Sequence, residues 1–312
     1  GGDPTFGSQA FIHSYYGAGA SVTSLARAIS AKGILHVDGQ IVGDESFLDS
    51  LRGGPRTGYA PDSEIAGTLS ALAFNRGQTG SNQGPHAPAA YAALQLLHAL
   101  RAVHVSVSGG VSTGTAPPSA QPLGEVQSPA LSDLLGLMDR PSDNFFAEML
   151  LKDLGAVVRG TGTTRVGAVV VRQALVGLGL HPRIVDGSGL SRADRTSPRE
   201  VVTLLSSLTG TQLGGELQGA LPVAGHSGTL ALRMRHTTAS GRCEAKTGTL
   251  NGVSNLAGWC HALGGHTLVF CFLIDGQSEA RAHLLQDNMT ITLAGFDDGT
   301  PAPVPGLTPP SP

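Results

Sequence analysis

Apolar positions recur at helical spacing in several stretches of this chain. Val22, Leu25, Ala26 and Ile29 fall three or four residues apart within ASVTSLARAISAKG (20–33), predicting a helix closed by Gly33. ILHVDGQIVGDES (34–46) predicts two short strands joined as a hairpin around Asp38-Gly39. APAAYAALQLLHALRAVHV (87–105), rich in Ala and Leu, predicts a second helix. SVSGGVSTGTAPPSAQPLG (106–124) shows no period and reads as a loop or linker, hence a candidate boundary.

The pattern sharpens in the second half. SPALSDLLGLMDRPSDNFFAEMLLKDLG (128–155) predicts two helices, interrupted at Arg140-Pro141 and ending at Gly155. TRVGAVVVRQALVGLGL (164–180) predicts another, and SPREVVTLLSSLTG (197–210) a fourth, with Ser197 as N-cap and Pro198 at the first helical position. From Gly241 the spacing turns to alternating or continuously apolar. CEAKTGTL, SNLAGWCHAL and HTLVFCFLID then predict three consecutive strands, the last two joined through Gly264-Gly265. SEARAHLLQDNMTITLAGF (278–296) predicts a closing helix, followed by a Pro-rich tail. Helices, then an antiparallel meander, then a helix make an α+β fold and not a doubly wound parallel sheet.

Composition narrows the class. With 312 residues, 40% hydrophobic and 14% charged, the chain is long enough for a sizeable core and roughly two domains. A net charge of −3 and the lack of a basic run argue against nucleic acid as the main partner. The longest apolar run, LVFCFLI (268–274), is far short of the ~20 residues that span a bilayer. Cys243, Cys260 and Cys271 have no metal-ligand spacing, so they read as small buried hydrophobes, with Cys260 and Cys271 brought near each other across a hairpin. No metal or organic cofactor is indicated.

Three short groups carry the candidate chemistry. Ser142-Asp143-Asn144 either caps the helix that follows or presents a hydroxyl and an amide to a substrate. Lys246-Thr247-Gly248 is either an exposed strand end or a cationic seat for a carboxylate, with Thr249 adding a second hydroxyl. Asp186-Gly187-Ser188-Gly189 reads most simply as a tight turn. The first two groups, in this order, belong to the signature Ser-x-x-Lys, Ser-Asp-Asn, Lys-Thr-Gly of serine acyl transferases that bind penicillin.

The longer segments around them extend the likeness. GGDPTF at the start, VDGSGLSRADRTSPRE (185–200), LPVAGHSGTL (221–230) and GRCEAKTGTLNGVSNLAGW (241–259) resemble the class C low-molecular-mass penicillin-binding proteins, peptidase family S13. That resemblance implies a penicillin-binding domain, an antiparallel sheet flanked by helices, with an accessory insertion. It places the accessory region at 1–124, the D,D-peptidase domain at 125–298 and a Pro-rich tail at 299–312. It also implies D-alanyl-D-alanine carboxypeptidase or endopeptidase activity on peptidoglycan peptides, β-lactam binding and an extracytoplasmic location. Ser142, Asn144 and Lys246 are then catalytic residues, and Thr247, Gly248 and Thr249 bind substrate.

One part of the signature is missing. A serine three residues before a lysine lies one helical turn away, where the amine can take its proton. The residues three before Lys32, Lys152 and Lys246 are Ile29, Met149 and Cys243, so the chain holds no Ser-x-x-Lys. The expectation is a nucleophile upstream of Gly1. The alternative is a catalytically inactive, peptidoglycan-binding protein of the cell envelope. The expected sheet, short of its upstream partners, should leave an apolar face or edge uncovered.

Overall fold

The computed structural model describes residues 1–77 and 87–299. The expected Pro-rich tail, past Gly299, lies outside the described residues. The chain forms two compact units, Gly1–Glu200 and Val201–Pro312.

The first unit opens with a short helix, α1 (Gln9–Tyr15), that the apolar spacing did not signal; Ser8 caps it by accepting from the Phe11 amide. Helix α2 (Val22–Ser30) follows, capped by Ser21. The segment around Asp38-Gly39 is not a hairpin. Strands β1 (His36–Val37) and β2 (Ile41–Gly43) each pair in parallel with strands from 106–124, β3 (Ser106–Val107) and β4 (Val111–Thr113). So 106–124 is not wholly a loop either. Helix α3 (Pro88–Ala102) lies between the paired segments in sequence. A hairpin of 34–46 alone would leave its apolar side chains in water. Parallel pairing instead carries Val37, Ile41, Val107 and Val111 against Leu97 and Leu100 of α3 and Ala26 of α2.

Helices α4 (Leu131–Asp139), α5 (Asn144–Arg159) and α6 (Thr164–Val176) complete the unit. Helix α5 runs past Gly155, its expected end, and stops at Gly160, which takes the left-handed conformation with φ of 65°. Gly155 serves a different need. A Cβ there would lie 2.8 Å from the Thr161 carbonyl oxygen and 2.9 Å from the Gly167 nitrogen, so its absence lets α5 and α6 cross closely. Phe145, Phe146 and Met149 of α5 are fully buried, each worth about 1.5–3 kcal/mol.

Helix α7 (Pro198–Leu208) begins at the end of the first unit. Ser197 and Glu200 form a capping box, with the Glu200 amide donating to Ser197 Oγ and the Ser197 amide to Glu200 Oε2. In the second unit α8 (Gln212–Ala220), another helix the spacing did not signal, precedes the three expected strands β5 (Cys243–Leu250), β6 (Val253–His261) and β7 (Thr267–Asp275). They form an antiparallel sheet in the order β5-β6-β7, and α9 (Glu279–Ala294) closes the chain. Cys243, Ala245, Leu256, Cys260 and Phe270 pack with Ala294 of α9 on one side of the sheet. Trp259 packs with Leu205 of α7 and Leu221 just past α8 on the other. Among the described residues β7 pairs with β6 alone, and Leu268, Val269 and residues 271–274 stay half-buried.

The cysteines differ from expectation. Cys243 and Cys260 face each other in the β5–β6 register and form a disulfide. Cys271 lies opposite Ala257 and is free, and burial pushes its thiol up to about 11. Cross-strand register decides this: Cys260 has Leu268, not Cys271, as its partner on β7.

Candidate functional site

Ser142, Asp143 and Asn144 form the turn between α4 and α5. The Asp143 amide donates to the Met138 carbonyl at 2.7 Å and the Ser142 amide to that of Asp139 at 3.3 Å, folding the chain back over the end of α4. Ser142 has φ of 61°, a conformation an L-residue adopts only where its surroundings hold it. Asp143 is the N-cap, accepting from the Phe146 amide at 3.1 Å. The capping reading of the group is therefore correct for its middle residue, and it leaves the Ser142 hydroxyl and Asn144 amide on either side of the cap. Asn144 Nδ2 donates to the Glu64 carbonyl at 2.9 Å.

The sequence offered no sign of the group that grips this turn. Arg76 makes a two-pronged ion pair with Asp143, Nη1 to Oδ2 at 2.5 Å and Nη2 to Oδ1 at 2.9 Å. Tyr16 lies nearby, its ring 5.2 Å from that of Phe146, and burial pushes its phenol up to about 12 against the opposing pull of the Arg76 guanidinium.

Lys246, Thr247, Gly248 and Thr249 lie consecutively on β5, opposite Ala257, Leu256, Asn255 and Ser254 of β6. Strand alternation sends Lys246 and Gly248 to one face, and Thr247 and Thr249 to the other with Ala245. Lys246 Nζ donates to the Thr247 carbonyl at 2.7 Å. The Thr247 hydroxyl donates to Thr229 Oγ1 at 2.8 Å, so LPVAGHSGTL contributes a side chain that motif spacing did not single out. A Cβ at Gly248 would lie 3.6 Å from that of Asn255, an ordinary contact, so packing against β6 does not by itself require a glycine here. Asn255 Oδ1 is buried with no hydrogen-bond partner among the described residues.

Asp186-Gly187-Ser188-Gly189 is the expected tight turn. Asp186 accepts from the Gly189 and Ser191 amides, both at 2.7 Å. Glu148 of α5, fully buried, accepts from the Gly187 and Ser188 amides and the Ser188 hydroxyl. Burial raises its carboxyl despite those bonds. The turn is thus anchored to the same helix that Asp143 caps. The structure gathers Ser142 and Asn144 within the first unit and the Lys246–Thr249 run within the second. Among the described residues no cluster of His, Cys, Asp or Glu has the makings of a metal site.

A family model described as the D-Ala-D-Ala carboxypeptidase 3 (S13) family matches residues 64–295. The chain belongs to this family. It is 38% identical over 220 residues to a D-alanyl-D-alanine carboxypeptidase of Actinomadura sp. (strain R39), covering 67% of this chain and 41% of that protein. It is 30% identical over 195 residues to the carboxypeptidase DacB of Haemophilus influenzae, covering 61% of this chain and 41% of the relative. The chain thus spans about two fifths of the length of these curated family members. Penicillin binding protein 4 from Haemophilus influenzae shares the fold, with a TM-score of 0.75 over 88% of this chain and 79% of that one at 22% identity. The same protein complexed with a β-lactam superposes with a TM-score of 0.57 over 66% of this chain and 51% of that one, at 28% identity. The α+β, penicillin-binding fold expected from the motifs is the fold observed. No helix among the described residues is long and apolar enough to cross a membrane.

Proposed function

We propose that this chain forms the substrate-handling part of a serine D-alanyl-D-alanine carboxypeptidase/endopeptidase acting on peptidoglycan peptides outside the cytoplasm. The observation that carries the reading is the pairing, in one S13 chain, of a braced Ser-Asp-Asn turn with Lys-Thr-Gly on a sheet strand. No Ser-x-x-Lys occurs in the 312 residues, so on this reading the nucleophile comes from outside them. Residues 1–124 are then the accessory region, and part of it braces the Ser-Asp-Asn turn. The relatives' names and the β-lactam complex of penicillin binding protein 4 support the substrate class and the capture of β-lactams.

On this reading the serine oxygen attacks the carbonyl carbon of the penultimate D-alanine, and its lysine partner takes the proton. The peptide C–N bond breaks, Ser142 relays a proton to the departing amine, and water then hydrolyses the ester. Asn144 aligns the substrate backbone. Lys246 from one face of β5, and the Thr247 and Thr249 hydroxyls from the other, meet the free carboxylate at the outer edge of the strand, Gly248 lets it approach, and the Thr249 amide supports the oxyanion.

The test is acylation of the complete gene product by a fluorescent penicillin. The expected result is a covalent adduct that Lys246→Ala slows by about a hundredfold or more. A gene product that binds peptidoglycan peptides but takes up no label establishes the inactive binding protein instead.

A further inference from the structure

We infer that Arg76 is a positioning residue that fixes the directions of the Ser142 hydroxyl and the Asn144 amide, a role that rests on the acyl-transfer reading above. A helix cap needs one carboxylate oxygen, and Asp143 Oδ1 supplies it to Phe146. The other oxygen, Oδ2, is held by Arg76 Nη1, while Nη2 reaches Oδ1. The rest of the guanidinium is also engaged. Its Nε donates to the Ala66 carbonyl at 2.9 Å, Nη2 to that of Ile65 at 3.3 Å, and its Cζ lies over the Phe145 ring, 4.7 Å from the centroid. A planar fork with five donors makes this set of bonds at once, and an ammonium does not.

The same short stretch that receives Arg76 also receives Asn144. Glu64 offers its carbonyl to Asn144 Nδ2, one and two residues before the Ile65 and Ala66 carbonyls that Arg76 binds. With Nδ2 occupied there, Asn144 Oδ1 is turned the other way, as an acceptor for a substrate N–H. Arg76 is thus bonded to the Asp143 cap on one side and to the Ile65 and Ala66 carbonyls, next to the one that holds Asn144, on the other.

Backbone conformation points the same way. Arg76 and its neighbour Asn75 both adopt left-handed conformations, with φ of 60° and 51°. Local bonds hold them there: the Asn75 amide to the Phe6 carbonyl, the Ser8 amide to Asn75 Oδ1, and the Thr68 amide to the Arg76 carbonyl. A non-glycine residue is held in this conformation only where its surroundings over-determine it. Ser142, the residue before Asp143 at the other end of the ion pair, is held in the same left-handed region.

The test pairs two measurements on Arg76→Lys, which keeps the charge and loses the fork. Hydrogen exchange on the 312-residue chain should show amides 142–146 exchanging about tenfold faster or more, with β6 unchanged. In the complete gene product, acylation by penicillin should slow about ten- to a hundredfold, the scale of a small misplacement of reacting groups. Combined with Asn144→Ala, the double variant should lose clearly less than the product of the two single losses, because Arg76→Lys acts in part through Asn144. A purely structural ion pair would instead multiply the two losses, and that result overturns the inference. Unchanged exchange at 142–146 overturns it as well. A wild-type gene product that takes no label sinks the acyl-transfer reading and Arg76's part in it, while exchange still decides whether Arg76 sets the turn. Should Arg76→Lys fail to fold, Asp143→Asn keeps the cap oxygen, weakens the same pair and carries the same expectations.

Discussion

In the first unit, Ser142 and Asn144 sit on a turn pinned by charged groups withdrawn from water. In the second, Lys246 and Thr247 sit in a strand ladder laid over apolar side chains. Among the described residues, the buried charged side chains Asp62, Arg76, Asp139, Glu148, Lys152 and Asp186 all belong to the first unit. The buried polar groups of the second, Ser254, Gln286 and Thr290, are uncharged. The difference follows from the backbone each unit uses. A three-stranded meander satisfies its own amides and needs only apolar packing on its faces. Turns and short parallel pairs leave many backbone groups to side chains, and Glu148 or Asp186 each satisfies two amides at once.

If that contrast is right, the largest stability loss should come from half-breaking a charged pair in the first unit. Lys152 is 1% exposed and donates to Asp49 at 2.6 Å and to the Leu51 carbonyl at 2.9 Å; burial pulls its amine down while Asp49 opposes the shift. Asp49→Ala leaves that ammonium unpaired and should cost about 3–5 kcal/mol in denaturant unfolding. A loss below about 1 kcal/mol would show that water reaches Lys152 and that the unit does not depend on the pair.

The matching test in the second unit is covalent. Replacing Cys243 and Cys260 together by serine should cost about 2–4 kcal/mol, and reductant should lower the melting temperature of the wild type but not of this variant. Free thiols at both positions in the oxidised protein would remove the disulfide from the account.

A smaller effect probes helix packing. A Cβ on Gly167 of α6 would lie 1.9 Å from the Leu151 carbonyl oxygen of α5, so Gly167→Ala should cost about 1–3 kcal/mol. The same substitution at Gly215 of α8, where a Cβ meets nothing within 4 Å, should be neutral or stabilising.

The smallest effect is a pH slope. Burial, with the neighbouring Asp186 charge adding to it, pushes the Asp194 carboxyl up to about 7. The folded state therefore holds this proton more tightly than the unfolded state, so its contribution is full below about pH 4 and is lost as pH rises through about 7. Asp194→Asn keeps an oxygen for the Val185 amide and should flatten the fall in melting temperature between about pH 5 and 8. An unchanged slope would assign it to other groups, Asp153 first, which burial also lifts to about 7.

Legibility in the sequence followed the same divide. The strands of the meander were readable from apolar spacing, and their register then placed Lys246, Thr247, Gly248 and Thr249 side by side. The Ser-Asp-Asn turn was readable from Pro141 and the apolar run after it. Arg76 was not, because nothing in FNRG marks an arginine whose partner lies 67 residues away. The hairpin at Asp38-Gly39 was misread for a related reason. Local turn chemistry favoured it, and burial against α3, more than forty residues on, overrode that preference.

The sequence by itself determined the family motifs, the helix caps and the α+β order, because each depends on neighbours a few residues away. Only the tertiary structure decided which carboxylate meets which cation, which cysteines join and where a two-residue strand finds its partner. Those outcomes depend on distances that side-chain chemistry alone does not encode, and burial makes them matter by removing the water that would otherwise satisfy each group alone.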